Sequence, residues 1–239
     1  MERQVRLYFD FVSPYSYLAL TQVERFGEEH GIEWTVRPIL YAAVLDRRGL
    51  IGPAEEPVKR EYTTRDIVRA ADRLGVPLVG PPEHPFNSLA ALRTVCVFQD
   101  DPRALRLAVR LFSICWGEGR PLTHPEILIA AVDESGLPAA RLADRMASQE
   151  MKDRLRANTE EALDAGVFGV PTFIWEGELF WGHDRLAHLA DRLAGRLASP
   201  EERGRVIAAR PKGAERRRTS PPVQRQPRGS SANRLEGLR

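Results

Sequence analysis

Two serines lie where an apolar segment gives way to a helical pattern. Residues 9–20 read FDFVSPYSYLAL, and Ser13 and Ser16 stand three positions apart within them. The N-terminus of a helix exposes unpaired backbone N–H groups and the positive end of the helix dipole. Hydroxyl groups at this place can hold an anion, including a thiolate that another molecule brings in. They cannot exchange a disulfide, because neither side chain contains sulfur.

The elements on both sides of these serines follow from the residue pattern. Residues 5–12 (VRLYFDFV) are aromatic and β-branched and predict a short buried strand. Ser13 has N-cap chemistry and Pro14 suits the first helical position, so a helix is expected to begin here and to end at Gly31. Residues 32–38 alternate between apolar and polar and predict a second strand. So short a strand–helix–strand unit predicts a parallel pair with a right-handed crossover.

The pattern of the next hundred or so residues is different. It is helical almost throughout residues 58–164, with Gly and Pro between the segments. Strand signals return in PTFIW and LFW, which flank a turn at Glu176, Gly177 and Glu178 and predict a hairpin. A closing helix is expected over residues 184–197. The strands are therefore expected to form one mixed sheet, with the helical block inserted between its halves.

The charge of the chain is concentrated at its C-terminal end. Eleven of the 35 basic residues but only four of the 33 acidic ones follow Pro200, so that segment carries +7 and the remainder −5. The segment is rich in Pro, Ser, Gly and Arg, and we expect residues 199–239 to be a disordered basic tail. Residues 1–198 are expected to form the folded domain. The tail lacks interleaved aromatic residues, which argues against nucleic-acid binding.

Targeting signals and cysteines add two further expectations. No apolar run is long enough to cross a bilayer, and the N-terminus lacks the pattern of a signal peptide. A cytoplasmic protein without membrane contact is therefore expected. Cys96 and Cys115 lie 19 positions apart, without a second pair. This spacing favours buried core thiols over a zinc site or a disulfide framework.

The order of the elements is that of a thioredoxin fold with an all-helical insertion at about residues 42–165. In such folds the first strand delivers a Cys-x-x-Cys sequence to a helix N-terminus, where the dipole stabilises a thiolate. The segment SPYS at residues 13–16 has the same spacing, with oxygen in place of sulfur.

Three separated motifs carry a more specific resemblance. The segment around SPYS, FGVPTF at residues 168–173 and WGHDR at residues 181–185 together resemble the 2-hydroxychromene-2-carboxylate isomerases. These enzymes are relatives of the kappa-class glutathione transferases within the DsbA-like thioredoxin superfamily. The similarity runs from about residue 5 to residue 197 and leaves out the tail.

The resemblance implies a glutathione-dependent cis–trans isomerisation in aromatic degradation. Ser13 would donate a hydrogen bond to the glutathione sulfur and favour its thiolate, which adds to a conjugated substrate, frees the former double bond to rotate, and leaves. The plain alternative for Ser13 is a helix N-cap. The implied cofactor is glutathione or another small thiol, without a metal. The implied partners are a small aromatic or electrophilic substrate and a second copy of the chain in a homodimer.

Further residues of a thiol site come from the same resemblance. Val170 and Pro171 would form a cis peptide bond that faces the helix N-terminus, and the Val170 backbone would pair with the peptide part of glutathione. The alternative is an ordinary trans proline at the start of a strand. The γ-glutamyl end would lie at the turn formed by Trp181, Gly182, His183 and Asp184. Asp184 would accept a hydrogen bond from the ammonium or cap a helix, while His183 is expected to be partly exposed and not catalytic.

Three further residues, two of them outside these motifs, complete the predicted site. Lys59 matches a lysine that contacts glutathione in kappa-like enzymes, and its alternative is a solvated position on a helix face. Tyr15 and Asn87 are expected on the substrate side. Asn87 would otherwise serve as a helix cap.

This chain also departs from the family pattern. Relatives show Gly-Asn ahead of the lysine, whereas Gly49 is followed here by Leu50, which cannot make a polar contact. A lysine used for the substrate carboxylate is replaced by Asp46, next to Arg47 and Arg48. The thiol half of the site is therefore retained, while the electrophile half is altered.

Three functions remain open at this point. The first is a thiol-dependent isomerase of the family just named. The second is a kappa-like transferase or peroxidase that conjugates or reduces electrophiles. The third is a thioredoxin-like protein that only binds thiols or peptides. The last alternative gives no reason for the three motifs to occur together.

Overall fold

The structure is a computed structural model and describes residues 3–198 and 200–211. Within them, four strands form one mixed sheet in the order β2-β1-β3-β4. β1 runs parallel to β2 and antiparallel to β3, which pairs with β4 in an antiparallel hairpin. The parallel pair, the hairpin and the single mixed sheet confirm the arrangement predicted from the sequence. The strands are β1 (Arg3–Phe9), β2 (Ile32–Pro38), β3 (Thr172–Trp175) and β4 (Glu178–Trp181).

Helices lie between these strands and after the last of them. Helix α1 (Pro14–His30) connects β1 to β2, and α9 (Leu186–Leu193) follows β4. The helices between β2 and β3 form the insertion, and they confirm a thioredoxin fold of the DsbA-like type. They are α2 (Tyr41–Arg48), α3 (Pro57–Leu74), α4 (Leu89–Val97), α5 (Ala104–Phe112), α6 (Pro125–Glu134), α7 (Leu142–Ala147) and α8 (Gln149–Asp164).

Helix α1 has the ends that its sequence predicts. Ser13 is its N-cap, and Pro14 occupies the first helical position. Gly31 ends it with a φ of 62°, a left-handed value that glycine adopts without a steric penalty. These local signals fix where α1 begins, and they place Ser13 directly after the turn that follows β1.

The central strand β1 is buried on both faces. Leu7 and Phe9 pack into the larger core with α1 and several helices of the insertion. Tyr8 points to the other face, into a smaller cluster with residues of α2 and α8. The Tyr8 O–H donates to Glu161 of α8 at 2.7 Å, and Arg6 pairs with the same carboxylate at 3.0 Å. Burial on two faces explains why the last three residues of this strand, Leu7, Tyr8 and Phe9, are all aliphatic or aromatic.

The turn between β3 and β4 follows directly from two residues. Glu176 has a φ of 50° and Gly177 a φ of 81°. Positive φ at both central positions is the mark of a type I′ turn, whose twist matches that of the flanking strands. The hairpin was predicted from this turn.

Some boundaries differ from the prediction. β1 ends at Phe9 rather than at residue 12, because the Asp10 carboxylate accepts the Val12 N–H at 3.1 Å and turns the chain. The closing helix α9 ends at Leu193 rather than at residue 197, and Gly195 follows with a left-handed φ of 69°. Helix α2 was not predicted, because it lies ahead of the helical pattern of residues 58–164.

The chain divides into two compact units, Met1–Ser199 and Pro200–Arg239. In the second unit, helix α10 (Glu201–Ala208) occupies part of the segment for which disorder was predicted. Glu, Arg and Ala favour helices, and the segment EERGRVIA is dominated by them. The side chains of residues 204–211 are exposed. Residues 212–239, most of the predicted tail, lie outside the described residues.

We expect deletion of residues 200–239 to leave the melting temperature of the remaining domain within about 2 °C of the full chain, a shift of well under 1 kcal/mol. The buried clusters around β1 are built from residues before position 199. Thermal unfolding of both proteins, followed by circular dichroism, checks this expectation. A clearly lower melting temperature of the shortened protein would show that the C-terminal unit stabilises the domain.

Candidate active site

Ser13 uses its hydroxyl group for two contacts. The oxygen accepts a hydrogen bond from the Ser16 N–H at 3.1 Å, which is the N-cap contact of α1. The Ser13 O–H donates to the Val170 carbonyl oxygen at 3.2 Å. The side chain is 7% exposed. The N-cap role is therefore present, and the donor side of the hydroxyl faces the segment that contains Val170.

The peptide bond between Val170 and Pro171 is cis, as expected from the motif. The Pro171 carbonyl oxygen accepts the Gly182 N–H at 3.0 Å. Within residues 3–198 and 200–211, no hydrogen bond satisfies the Val170 N–H. Four predicted site residues are thus brought together by a chain of hydrogen bonds. They are Ser13, Val170, Pro171 and Gly182.

Trp181 lies at the end of β4 with about half of its side chain exposed. Its ring meets Phe168 edge-on, with the centroids 4.7 Å apart. The indole also covers Gly169, where any added Cβ would collide with it. The pair of Phe168 and Trp181 therefore lies beside the backbone that leads into Val170.

Asp184 is exposed and pairs with Arg185 at 3.3 Å. It lies inside a short 3-10 turn, His183–Arg185, whose N-cap is Gly182. The N-cap of α9 is Arg185, and neither terminus has a side-chain cap. The alternative of a helix cap for Asp184 is therefore wrong, and its carboxylate remains open to a ligand.

Tyr15 and His183 form a stacked pair. Their ring centroids are 5.3 Å apart at an interplanar angle of 23°. The Tyr15 O–H donates to Asp66 of α3 at 2.7 Å. Burial lowers the pKa of His183, and the carboxylates of Asp184 and Asp66 oppose this effect. His183 is half-buried, as expected, and Asp66 is a residue that sequence reasoning missed because nothing marks it among the charges of α3.

Lys59 and Asn87 stand apart from this group. Lys59 is exposed in the first turn of α3, where its N–H donates to Glu56 at 3.0 Å. Asn87 is exposed, and its side-chain oxygen accepts the Leu89 N–H at 3.0 Å, so it caps the start of α4. No hydrogen bond or ion pair among the described residues links either side chain to Ser13. Their placement in a thiol or substrate site stays a prediction.

Asp10 is a further residue that sequence reasoning missed. Its carboxylate is buried and accepts the Val12 N–H at 3.1 Å and the Tyr41 N–H at 2.9 Å. Burial raises the pKa of this carboxyl group, while hydrogen bonds from Ser88 and from the backbone oppose the rise. A single acidic residue between Phe9 and Phe11 was the available signal.

Two side chains of the insertion also reach the turn after β1. His84 Nε2 lies 2.9 Å from the Val12 carbonyl oxygen. The indole N–H of Trp116 donates to the Phe11 carbonyl oxygen at 2.9 Å. Neither residue was predicted, because each contact spans a long stretch of sequence, 72 and 105 positions respectively. Every residue of the turn before Ser13 therefore has a hydrogen-bond partner.

Ser16 has a different environment from Ser13. It is fully buried, and its hydroxyl has no hydrogen-bond partner in the described part of the chain. A ligand cannot reach it, so only its backbone N–H contributes to the site. Of the two serines in the motif, Ser13 alone offers a hydroxyl to the cleft.

The segment that departs from the family pattern lies on and after α2. Arg48 donates to the carbonyl oxygens of Val167 at 2.9 Å and Leu163 at 3.2 Å, so it ties α2 to the end of α8. Leu50 is 44% exposed, and Asp46 and Arg47 are exposed. Arg48 is therefore engaged by backbone carbonyls, which leaves Arg47 as the more available cation of the pair.

The described residues contain no group of three or more His, Cys, Asp or Glu side chains that could hold a metal ion. Both cysteines, Cys96 and Cys115, are buried, and burial raises the pKa of each thiol to about 12. Neither is a thiolate near neutral pH. Among the described helices, none combines the length and apolarity needed to cross a bilayer.

Comparisons with known proteins agree with the fold described above. The family model for the DSBA-like thioredoxin domain matches residues 4–194. The 2-hydroxychromene-2-carboxylate isomerase of Pseudomonas putida is 30% identical over 195 residues, which cover 81% of this chain and 95% of that protein. Glutathione S-transferase kappa 1 of Homo sapiens is 27% identical over 214 residues, 84% of this chain and 95% of the relative. A solved 2-hydroxychromene-2-carboxylate isomerase superposes with a TM-score of 0.74 at 28% identity, covering 87% of this chain and all of the other.

Gly182 makes the turn before Asp184 possible. Its φ of 116° and ψ of 151° lie in a region that only glycine populates readily, and an added Cβ would lie 2.7 Å from Asp184 Oδ1. We expect Gly182→Ala to lower the free energy of unfolding by about 1–3 kcal/mol, measured by urea denaturation. Gly31→Ala is the control, since its φ of 62° is strained for alanine but its Cβ meets no atom within 4 Å. A smaller loss in Gly182→Ala than in Gly31→Ala would contradict the expected crowding.

Proposed function

The chain belongs to the DSBA-like thioredoxin domain family, and we propose that it is a glutathione-dependent isomerase that acts on a conjugated substrate of the 2-hydroxychromene-2-carboxylate type. Its relatives in that family are enzymes named as isomerases and as kappa-class glutathione transferases. Ser13 is the catalytic residue of the proposal. Its hydroxyl stabilises the thiolate of the bound glutathione.

The observation that carries the proposal is the environment of the Ser13 hydroxyl. It lies at the N-terminus of the 17-residue helix α1, next to the Val170 carbonyl oxygen at 3.2 Å. A thiolate that approaches here gains the positive end of the helix dipole and a hydrogen bond from Ser13. The donor then turns from a neutral carbonyl to a charged sulfur, which is the stronger acceptor.

The thiol has to come from outside the chain. The first helical turn contains no sulfur, and the two cysteines lie in the core with a raised pKa. A dithiol reaction is therefore disfavoured. A small thiol that docks beside Ser13 supplies the nucleophile instead.

The backbone at Val170 supports the docking of a peptide-like thiol. Its N–H is unsatisfied within the described residues, and its carbonyl oxygen is released when Ser13 turns to the sulfur. These are one donor and one acceptor on the same residue, which an extended peptide can pair with as an added strand. Glutathione has such a peptide, and its γ-glutamyl ammonium would reach Asp184. Lys59 is the proposed contact for a carboxylate of the same molecule.

The proposed reaction needs no redox step. The thiolate forms a C–S bond with one carbon of a conjugated C=C bond, and the electron pair moves to the conjugated carbonyl oxygen. The former double bond is then single and rotates. The electron pair returns, the C–S bond breaks, and the thiolate is released unchanged. Tyr15 and Asn87 are the proposed contacts of the substrate.

A kappa-like glutathione transferase is the second candidate. It would use the same thiolate but keep the C–S bond, and the relative from Homo sapiens supports it. Because the residues near Leu50 differ from the family pattern, the assay compares two classes of electrophile. The homodimer that the resemblance implies and the cytoplasmic location expected from the sequence remain predictions.

We expect Ser13→Ala to lose most of the thiol-dependent turnover. The lost hydrogen bond to a charged sulfur contributes about 1.5–3 kcal/mol, which corresponds to roughly a 10- to 150-fold decrease in rate. Turnover is measured with glutathione against hydroxychromene carboxylate and against a generic electrophile. The two substrates separate an isomerase from a transferase.

Ser16→Ala is the matched control for Ser13→Ala. The Ser16 hydroxyl has no hydrogen-bond partner among the described residues, so its removal should lower neither turnover nor stability. Ser13→Ala loses its N-cap as well, at about 1 kcal/mol of stability, so both variants are assayed well below their melting temperatures. Turnover of Ser13→Ala within twofold of the wild type would remove Ser13 from the mechanism.

We expect Asp184→Asn to weaken the binding of glutathione without a loss of stability. Asp184 caps no helix, and its exposed pair with Arg185 contributes little to folding. The charged contact with the ammonium is lost, so KM for glutathione should rise while kcat at saturating thiol stays nearly constant. Titration with S-methyl glutathione, followed by calorimetry, gives the same comparison without catalysis. Unchanged affinity would show that the γ-glutamyl group lies elsewhere.

A further inference from the structure

The peptide unit before Ser13 is held at both of its ends. The Ser13 N–H donates to the Asp10 carbonyl oxygen at 3.0 Å. At the other end of the same unit, the Val12 carbonyl oxygen accepts a hydrogen bond from His84 Nε2 at 2.9 Å. The unit is planar, so it can turn only as a whole, and its rotation changes the φ angle of Ser13. The two bonds therefore fix the direction in which the Ser13 side chain leaves the backbone.

His84 is itself well supported in the loop between α3 and α4. Its ring lies edge-on to Trp116, with the centroids 5.3 Å apart. The Trp116 indole holds the neighbouring Phe11 carbonyl oxygen at 2.9 Å. Two adjacent carbonyl groups of the turn thus receive donors from two aromatic side chains that contact each other.

The chemistry of the contact defines the state of the imidazole. A carbonyl oxygen can only accept, so His84 Nε2 carries the hydrogen. Burial lowers the pKa of His84; the bond to Val12 opposes this effect, and the nearby charge of Arg60 adds to it. The neutral ring with its hydrogen on Nε2 is therefore the form that holds Val12 near neutral pH.

We infer that His84 is a positioning residue for Ser13, and that its Nε2–H holds the Val12 carbonyl so that the Ser13 hydroxyl points at the sulfur of the bound thiol. This inference rests on the proposed function, because it requires Ser13 to act on a thiolate. His84 touches the backbone and not the reacting atoms. Without its donor, the Val12 carbonyl is unpaired and the peptide unit is free to turn. Small displacements of a catalytic group have large effects on rate.

Two substitutions at His84 separate the donor from the ring. His84→Phe keeps an aromatic ring against Trp116 but has no N–H. His84→Gln places a side-chain N–H near the position of Nε2, and neither variant titrates. We measure kcat/KM with glutathione, the melting temperature, and the ultraviolet absorbance of the thiolate of bound glutathione as a function of pH.

We expect His84→Phe to lower kcat/KM about tenfold or more, the usual effect of removing a group that supports a catalytic residue. The thiolate of bound glutathione should then form only at higher pH than in the wild type. His84→Gln should restore most of both properties. A role in folding alone would lower the melting temperature without moving the thiolate titration.

Wild-type kcat/KM and thiolate titration in His84→Phe would overturn the inference, and so would equal losses in the Phe and Gln variants. If His84→Phe does not fold, His84→Asn replaces it, since its amide is too short to reach Val12. Ser13→Ala is measured in parallel. Loss in Ser13→Ala without loss at His84 overturns the positioning role alone, whereas no loss in Ser13→Ala overturns the proposed function.

Discussion

A carboxyl group buried at the end of β1 is the constraint on which the site depends. The Asp10 carboxylate accepts hydrogen bonds from the N–H groups of Val12 and of Tyr41 at the start of α2, and Ser88 at the start of α4 lowers the pKa that burial raises. A buried carboxyl group is tolerated only where donors surround it. The turn after β1 and two helix termini must therefore meet at this one side chain. The Asp10 carbonyl oxygen also accepts the Ser13 N–H, so the residue fixes the turn through its backbone as well.

What the sequence predicts well is local. The cap at Ser13, the left-handed Gly31 and the turn at Glu176 and Gly177 depend only on near neighbours, and all three are in the structure. The family resemblance carried by the motif at residues 168–173 also implied the cis peptide bond before Pro171, which the structure contains. These features set the two ends of α1 and the hairpin of β3 and β4.

The contacts that the sequence does not predict join residues that are far apart in the chain. His84 and Trp116 reach the turn from 72 and 105 positions away, and no periodicity relates them to it. Helix α10 lies inside the segment for which composition predicted disorder, because composition describes a whole segment and not a short helix within it. Asp10 is the exception, because an acidic residue inside a predicted buried strand indicates that hydrogen-bond donors must surround its carboxylate.

Oxygen in place of sulfur changes what the first helical turn can do without changing its shape. Ser13 keeps the cap, and Ser16 keeps the N–H that meets it at 3.1 Å. The Ser16 hydroxyl is buried and has no partner in the part of the chain that the structure describes, so this side chain takes no part in the proposed chemistry. The helix terminus can still stabilise an anion, but it cannot store or transfer electrons. Such a site suits a reaction in which a thiol enters, bonds and leaves unchanged.

Ser13 and Tyr15, both at the start of α1, contact different parts of the molecule. Tyr15 follows Ser13 by two positions in α1, yet its hydroxyl is bound to Asp66 of α3 and its ring lies on His183. The contacts of the Ser13 N–H and hydroxyl run instead to Asp10 and Val170, and among the described residues none of these contacts involves α3. The turn before Ser13 is tied to the insertion by His84 and Trp116. A change in the position of the insertion would therefore act on Ser13 through this turn and on Tyr15 through Asp66.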